Sequence, residues 1–240
     1  MDIKVLASGS KGNSYYISDN NTPLLLEAGI PYKRIQQGLN FKTSEIAGCL
    51  VSHSHADHSK AVAELLKAGI DIYASYETFD ALLLDGHHRA YPIKPLQPFN
   101  IGTWAILPFE TQHDCLGALG FLLASKTGEK LLFITDSYYC KYKFTGLNYI
   151  LIECNYALDI LNKNLDAGRV PEALKKRVLT SHFSLENVKG FLKANDLTQV
   201  RQIHLLHLSD DNSDAERFRR EIEALTGKPV YVAGESEENI

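Results

Sequence analysis

The chain has 240 residues, 45% of them hydrophobic and 22% charged, with a formal net charge of −4. That length suits one large domain or two small ones, and the composition is ordinary for a globular chain with a substantial core. No apolar run approaches the ~20 residues of a membrane span, and the net negative charge argues against broad nucleic-acid binding through charge alone.

Met1 to Lys4 leads straight into a strand pattern with no signal-peptide layout. Ile3 to Ala7 and Tyr15 to Ser18 read as strands joined by Ser8-Gly9-Ser10-Lys11-Gly12-Asn13-Ser14. That loop lacks P-loop spacing; it suits either a hairpin turn or backbone amides facing an anion. A third strand, Leu24 to Gly29, carries Glu27 after three leucines. A carboxylate there needs a partner, either an ordinary strand-end salt bridge or a group that ligates a metal. Pro31 to Leu39 reads as a helix and Ala47 to Val51 as a short buried strand. Val62, Leu65 and Leu66 then repeat as one face of a helix.

On the loop between that strand and helix lies His53-Ser54-His55-Ala56-Asp57-His58. Three imidazoles and a carboxylate within six residues are hard to explain as packing, and they are the donors that suit zinc and its first-row neighbours. In extended chain, side chains two apart point the same way. His53 and His55 therefore share one ion, while Asp57 and His58, past the bend, reach a second.

Ile70 to Ala74 reads as a strand and Tyr76 to Leu84 as a helix, followed by a polar turn with surface histidines His87 and His88. Further strands are Thr103 to Pro108, Gly120 to Ala124, Leu131 to Thr135 and Tyr149 to Asn155. Asp159 to Asn164, Pro171 to Leu179 and Leu185 to Lys193 read as helices. Val200 to Leu208 is an apolar strand. Ser213 and Glu216 have capping-box spacing at the start of a helix bearing Phe218, Ile222 and Leu225. A strand at Pro229 to Val232 precedes an acidic, frayed tail, Glu235 to Ile240. With no linker or repeat, residues 1–240 read as one domain of two sheets with helices on their outer faces. Cys49, Cys115, Cys140 and Cys154 lack CxxC spacing. Cys49 and Cys154 lie in apolar runs, which points to buried free thiols in a reducing cytoplasm.

Several apolar runs end in residues capable of chemistry: His113, Asp136, Glu153, His182, His204 and His207. His53, His55 and His113 suit one ion, and Asp57, His58 and His207 another, with Asp136 offering one oxygen to each. His204 and His207 are three apart on a strand and face opposite sides. His207, at the strand's end beside Ser209 and Asp210, is the ligand; His204 is structural.

This set resembles the metallo-β-lactamase superfamily of αββα hydrolases over nearly the whole chain. Within it the similarity is to the YycJ/WalJ-like subgroup and, more distantly, to ribonuclease Z. The motifs that carry it begin with Ala7-Ser8-Gly9-Ser10, Gly12-Asn13, Leu26-Glu27-Ala28-Gly29 and H-x-H-x-D-H. They continue with His113-Asp114, Thr135-Asp136, Glu153-Cys154-Asn155, Ser181-His182-Phe183-Ser184 and His207-Leu208-Ser209 with Asn212. Glu27 stands where the family usually has Asp, and Ser181 where a glycine is common.

The resemblance implies a four-layer αββα sandwich and a pair of divalent ions, zinc or manganese. His53, His55, Asp57, His58, His113, Asp136 and His207 would be the ligands. It also implies phosphodiester hydrolysis by a hydroxide bridging the ions, with Asp57 counted among the catalytic residues, His182 as general acid and Glu153 orienting its ring. The substrate so implied is DNA, degraded 5′ to 3′ by a cytoplasmic exonuclease. The rivals are a cyclic-nucleotide phosphodiesterase, a thioesterase or lactonase sharing all seven ligands, and a non-catalytic metal-binding scaffold. The cyclic-nucleotide reading gains from a chain too short for the RNA-gripping arm or inserted domain of larger relatives. A true β-lactamase usually has cysteine at the position of Asp136. Tyr138, Tyr139 and Tyr142, beside Lys141 and Lys143, suit base stacking. Lys175 to Arg177 and Arg217, Arg219 and Arg220 are further basic candidates.

Overall fold

The computed structural model describes residues 1–234, so the acidic tail lies outside the described residues. It has a mixed α/β architecture, two β-sheets flanked by helices, as the αββα class requires. The chain divides into two compact units, one of Met1–Glu110 and Cys115–Glu129, the other of Thr111–Asp114 and the chain from Lys130 onward.

The first unit holds a six-stranded sheet, in the order β1 (Asp2–Ala7), β2 (Ser14–Ser18), β3 (Pro23–Leu26), β4 (Gly48–Leu50), β5 (Ile72–Ala74) and β6 (Ala90–Pro92). The first three are antiparallel and the rest parallel. Helices α1 (Tyr32–Gly38), α2 (Ala56–Ser59), α3 (Val62–Lys67) and α4 (Tyr76–Ala81) interleave with them. Leu25, Cys49 and Ile72 from the strands form one buried cluster with Ile35, Val62, Leu65 and Phe79 from the helices. Each such aliphatic or aromatic side chain contributes about 1.5–3 kcal/mol when taken fully out of water. The same unit contains an antiparallel meander of β7 (Phe99–Ile101), β8 (Trp104–Glu110) and β9 (Leu119–Ala124).

The second unit supplies the parallel strands β10 (Lys130–Ile134), β11 (Tyr149–Glu153), β12 (Gln202–Leu206) and β13 (Val230–Val232). Its helices are α5 (Leu158–Asp166), α6 (Glu172–Ser181), α7 (Leu185–Ala194) and α8 (Ala215–Thr226). The strands β10 to β12 are near-continuous apolar runs because parallel strands are covered on both faces.

The sequence expectations differ from this in a few places. Strand β3 stops at Leu26, because Glu27 takes a left-handed φ of 67°. Asp57 and His58 lie on α2 rather than on a loop. Strands β6 and β7, three residues each, are too short to show an alternating pattern, and β6 ends in Pro92 at the sheet's edge. Helix α8 is capped by Asp214, which accepts the Arg217 N–H at 2.9 Å. Ser213 instead donates its hydroxyl to the Ser209 carbonyl at 2.6 Å, so the capping box is not formed. All four cysteines are free, and Cys49 and Cys154 are buried. No helix among the described residues is long and apolar enough to cross a membrane.

Candidate metal centre

In the first unit β3 and β4 run parallel with Leu26 opposite Leu50, so the segments leaving their C-terminal ends emerge side by side. One segment brings Glu27, the other Ser52 and His53. Glu27 is fully buried; its Oε1 accepts the Ser52 N–H at 3.1 Å, and its Oε2 lies 3.4 Å from His58 Nδ1. Burial raises the carboxyl above the ordinary range, and the His58 and Ser52 contacts oppose that rise. Glu27 therefore holds one nitrogen of His58 and fixes which way the ring faces, as a carboxylate behind a metal-ligating histidine does.

His53 is placed in the same manner. Its Nδ1 lies 2.8 Å from the Ser52 hydroxyl, which leaves Nε2 facing His55 Nδ1 at 3.1 Å. Two imidazole nitrogens at that separation need a shared proton or a cation, because their lone pairs otherwise repel. His58 lies beside His53, ring centroids 4.3 Å apart and planes tilted by 37°, and its Nε2 is 3.5 Å from Asp57 Oδ2. This donor set, imidazole nitrogens with a carboxylate, fits a divalent first-row ion.

The Ser8–Ser14 loop joins the antiparallel strands β1 and β2 as a hairpin connection, and it also reaches the histidine motif. Its Asn13 backbone N–H donates to the Asp57 carbonyl at 2.8 Å, and the Asn13 amide reaches that carbonyl and His58 Nε2, each at 3.2 Å. Gly29 lies against the same turn. A Cβ there would fall 1.7 Å from the Asp57 carbonyl oxygen, so only glycine permits the approach. Neither Asn13 nor Ser52 stands out by residue type as part of a site; the Gly12-Asn13 pair is the available signal.

In the second unit three parallel strands deliver the remaining candidates. Asp136 follows β10, Glu153 ends β11 and His207 follows β12, and side-by-side parallel strands bring their C-terminal ends to one edge. Asp136 and His207 sit at φ 42° and 52°. Non-glycine residues in that region cost about 1–3 kcal/mol and concentrate at functional sites. Glu153 is fully buried and is held by four groups. Its Oε2 accepts the Ser137 and Phe183 N–H at 3.0 and 3.1 Å, while Oε1 lies 2.6 Å from His182 Nδ1 and 3.1 Å from His207 Nδ1. Burial alone would raise its pKa. The His182 charge, with hydrogen bonds from His182 and His207, outweighs that and holds the carboxyl below its ordinary value. For His182, burial pulls the ring down, and the Glu153 charge and hydrogen bond carry it above the usual histidine value.

His113 donates Nδ1–H to the Ser181 carbonyl at 3.0 Å, which leaves Nε2 3.8 Å from Asp136 Oδ2. Burial lowers its pKa, opposed by Asp136, so the ring is neutral and available as a ligand. Asp136, Glu153, His182 and His207 offer ligand atoms that all lie within 4.8 Å of one another. His204 stays apart: its Nε2 meets Gln202 Oε1 at 3.2 Å and its ring stacks on Tyr231. Burial pushes its pKa down to about 4.

The family described as Beta-lactamase superfamily domain matches residues 25–208. The chain belongs to the metallo-β-lactamase superfamily. Its clustered histidine and carboxylate side chains make it a metal-dependent hydrolase of that superfamily. It is 27% identical over 254 residues to the exodeoxyribonuclease YycJ of Bacillus anthracis, covering 98% of this chain and 93% of the relative. It is 29% identical over 228 residues to the exodeoxyribonuclease WalJ of Streptococcus pneumoniae, covering 88% and 83% respectively. The crystal structure of the metallo-β-lactamase fold protein YhfI from Bacillus subtilis shares the fold, with a TM-score of 0.72 at 16% identity over 96% and 95% of the two chains.

Proposed function

We propose that residues 1–240 act as one domain in which His53, His55 and His113 hold one divalent ion and Asp57, His58 and His207 another, with Asp136 shared between them. Such ions, zinc or manganese, supply a Lewis acid and a water activated near neutral pH. The reaction is phosphodiester hydrolysis and the substrate DNA, degraded from its 5′ end in the cytoplasm. The exodeoxyribonuclease names of YycJ and WalJ support the choice of polymer.

The observation that carries the reading is the 2.6 Å contact between Glu153 Oε1 and His182 Nδ1. A departing alkoxide needs a proton. Glu153 fixes the His182 ring through Nδ1, which leaves Nε2–H as the atom that delivers the proton. The shift above the ordinary histidine value favours the protonated ring. Asp57, with 27% of its side chain exposed, remains able to accept a hydrogen bond from entering solvent while it faces His58.

The test is incubation of metal-loaded protein with end-labelled single- and double-stranded DNA alongside cyclic mononucleotides. Release of mononucleotides from the 5′ end is expected. Opening of a cyclic nucleotide with DNA left intact would replace the nuclease reading by a cyclic-nucleotide phosphodiesterase.

A further inference from the structure

A cavity of about 200 Å³ lies in the second unit between the Tyr139–Lys143 segment and helix α7. The segment over it is tied down at both ends. Asn187 Nδ2 donates to the Tyr138 carbonyl at 2.9 Å, and the Phe144 N–H donates to Asn195 Oδ1 at 2.7 Å. Ser137 Oγ further donates to the Tyr139 carbonyl at 2.8 Å. The cavity is therefore preformed rather than a gap under a loose loop.

Its lining is mixed in a particular way. Phe183 and Phe191 supply apolar surface, and Phe183 is the neighbour of His182 in the chain. Tyr139 is 56% exposed, and the Lys141 ammonium lies 5.2 Å from the centre of the Tyr142 ring. Lys143 adds a second exposed cation, and Glu186 a single carboxylate. The arginines of α8 are occupied differently. Arg217 is paired with Asp159 and Glu221, and Arg219 with Glu216 and Glu223, which is a solvated helix face and not a binding surface.

Gly190 gives the second observation. It lies inside α7, where glycine weakens a helix. A Cβ added there meets nothing within 4 Å, so no neighbour in the fold requires its absence. What glycine does at this position is leave the cavity open.

We propose that this cavity is a subsite for one nucleobase of a single-stranded DNA, beside the nucleotide being cleaved; the choice of ligand rests on the nuclease reading above. Aromatic faces stack on any base, the two lysines attract the flanking phosphates, and Glu186 accepts from a base's exocyclic amine. Polynucleotide is favoured over a free mononucleotide because Lys141 and Lys143 are exposed while Phe183 and Phe191 are buried, which suits a base held inside and a backbone continuing along the surface.

The test uses metal-loaded protein and phosphorothioate-linked oligodeoxyadenylate that resists cleavage, set against an abasic strand of equal length, with binding read by fluorescence anisotropy. Gly190→Leu fills the cavity from a position with free space, and Tyr142→Ala removes one aromatic face. The wild type is expected to bind the base-bearing strand at least tenfold more tightly than the abasic one. Gly190→Leu should abolish that preference and Tyr142→Ala reduce it at least threefold, both with wild-type metal content, and Gly190→Leu with a melting temperature no lower than wild type. Equal binding of the two strands by wild type, or a preference that survives Gly190→Leu, overturns the subsite. Loss of preference in Gly190→Leu in a protein that degrades no DNA upholds the subsite and removes the nuclease reading. DNA degradation with an unaltered preference in Gly190→Leu does the reverse.

Discussion

His182 and Glu153 define the residue scale. The Glu153 carboxylate, fully buried, receives two backbone N–H groups on one oxygen and His182 on the other. Its pKa is held below the ordinary carboxylate value, and that of the imidazole against it above the usual histidine value. His182→Ala should lower kcat by about 10²- to 10⁴-fold, the usual share of a positioned proton donor, with metal content by elemental analysis unchanged. Loss of metal from that variant would make His182 a ligand instead. His204 gives a residue-scale prediction about stability. Its folded pKa of about 4 lies below the unfolded histidine value, so the unfolded chain binds a proton that the folded chain refuses as pH falls from about 6.5 to 4. Stability contributed by the neutral ring is therefore present above pH 6.5 and declines by up to about 3 kcal/mol through that window. In urea titrations between pH 7 and 4.5, His204→Phe should show a shallower decline than wild type. Parallel curves would mean that other groups account for the acid sensitivity.

The elements show how local rules place these side chains and where they fall short of doing so. Asp214 accepts the Arg217 N–H at the start of α8, so Asp214→Ala should cost about 1 kcal/mol in chemical denaturation, whereas Ser213→Ala should leave that cap intact. The sequence pattern suggested the opposite assignment, because capping-box spacing specifies residue types at intervals and not which of two adjacent candidates turns inward. The apolar runs were legible for a different reason. Leu24 to Leu26, Leu131 to Ile134 and Ile150 to Ile152 are covered on both faces, and that burial demands uninterrupted apolar residues. The chemistry at their ends was legible too, since a carboxylate or histidine closing such a run has few structural uses. What remained hidden depends on contacts between distant segments. The Asn13 clamp on Asp57, the Ser52 hydroxyl on His53 and the Ser181 carbonyl on His113 use common polar residues whose types do not say which distant segment they meet.

For the whole molecule, the consequence is that metal and fold are linked. His53 Nε2 and His55 Nδ1 face one another at 3.1 Å, and Asp136 sits at a strained φ beside His207. A bound cation would replace the proton that the two imidazoles otherwise share and offset the backbone strain at Asp136, so ion binding adds to folding free energy. At a free metal concentration a hundredfold above Kd the stabilisation is about 2.7 kcal/mol. For a chain of this size that raises the melting temperature by roughly 5–10 °C. Histidine ligands bind metal only when neutral, and protonation competes as pH falls towards the ordinary histidine value. The increment in melting temperature on adding zinc or manganese to chelator-stripped protein should therefore be larger at pH 7.5 than at pH 5.5. Dialysis against chelator should remove both the increment and hydrolytic activity, and metal return should restore both. Equal increments at the two pH values would mean that the stabilising ion sits on carboxylates alone, away from the histidine motif.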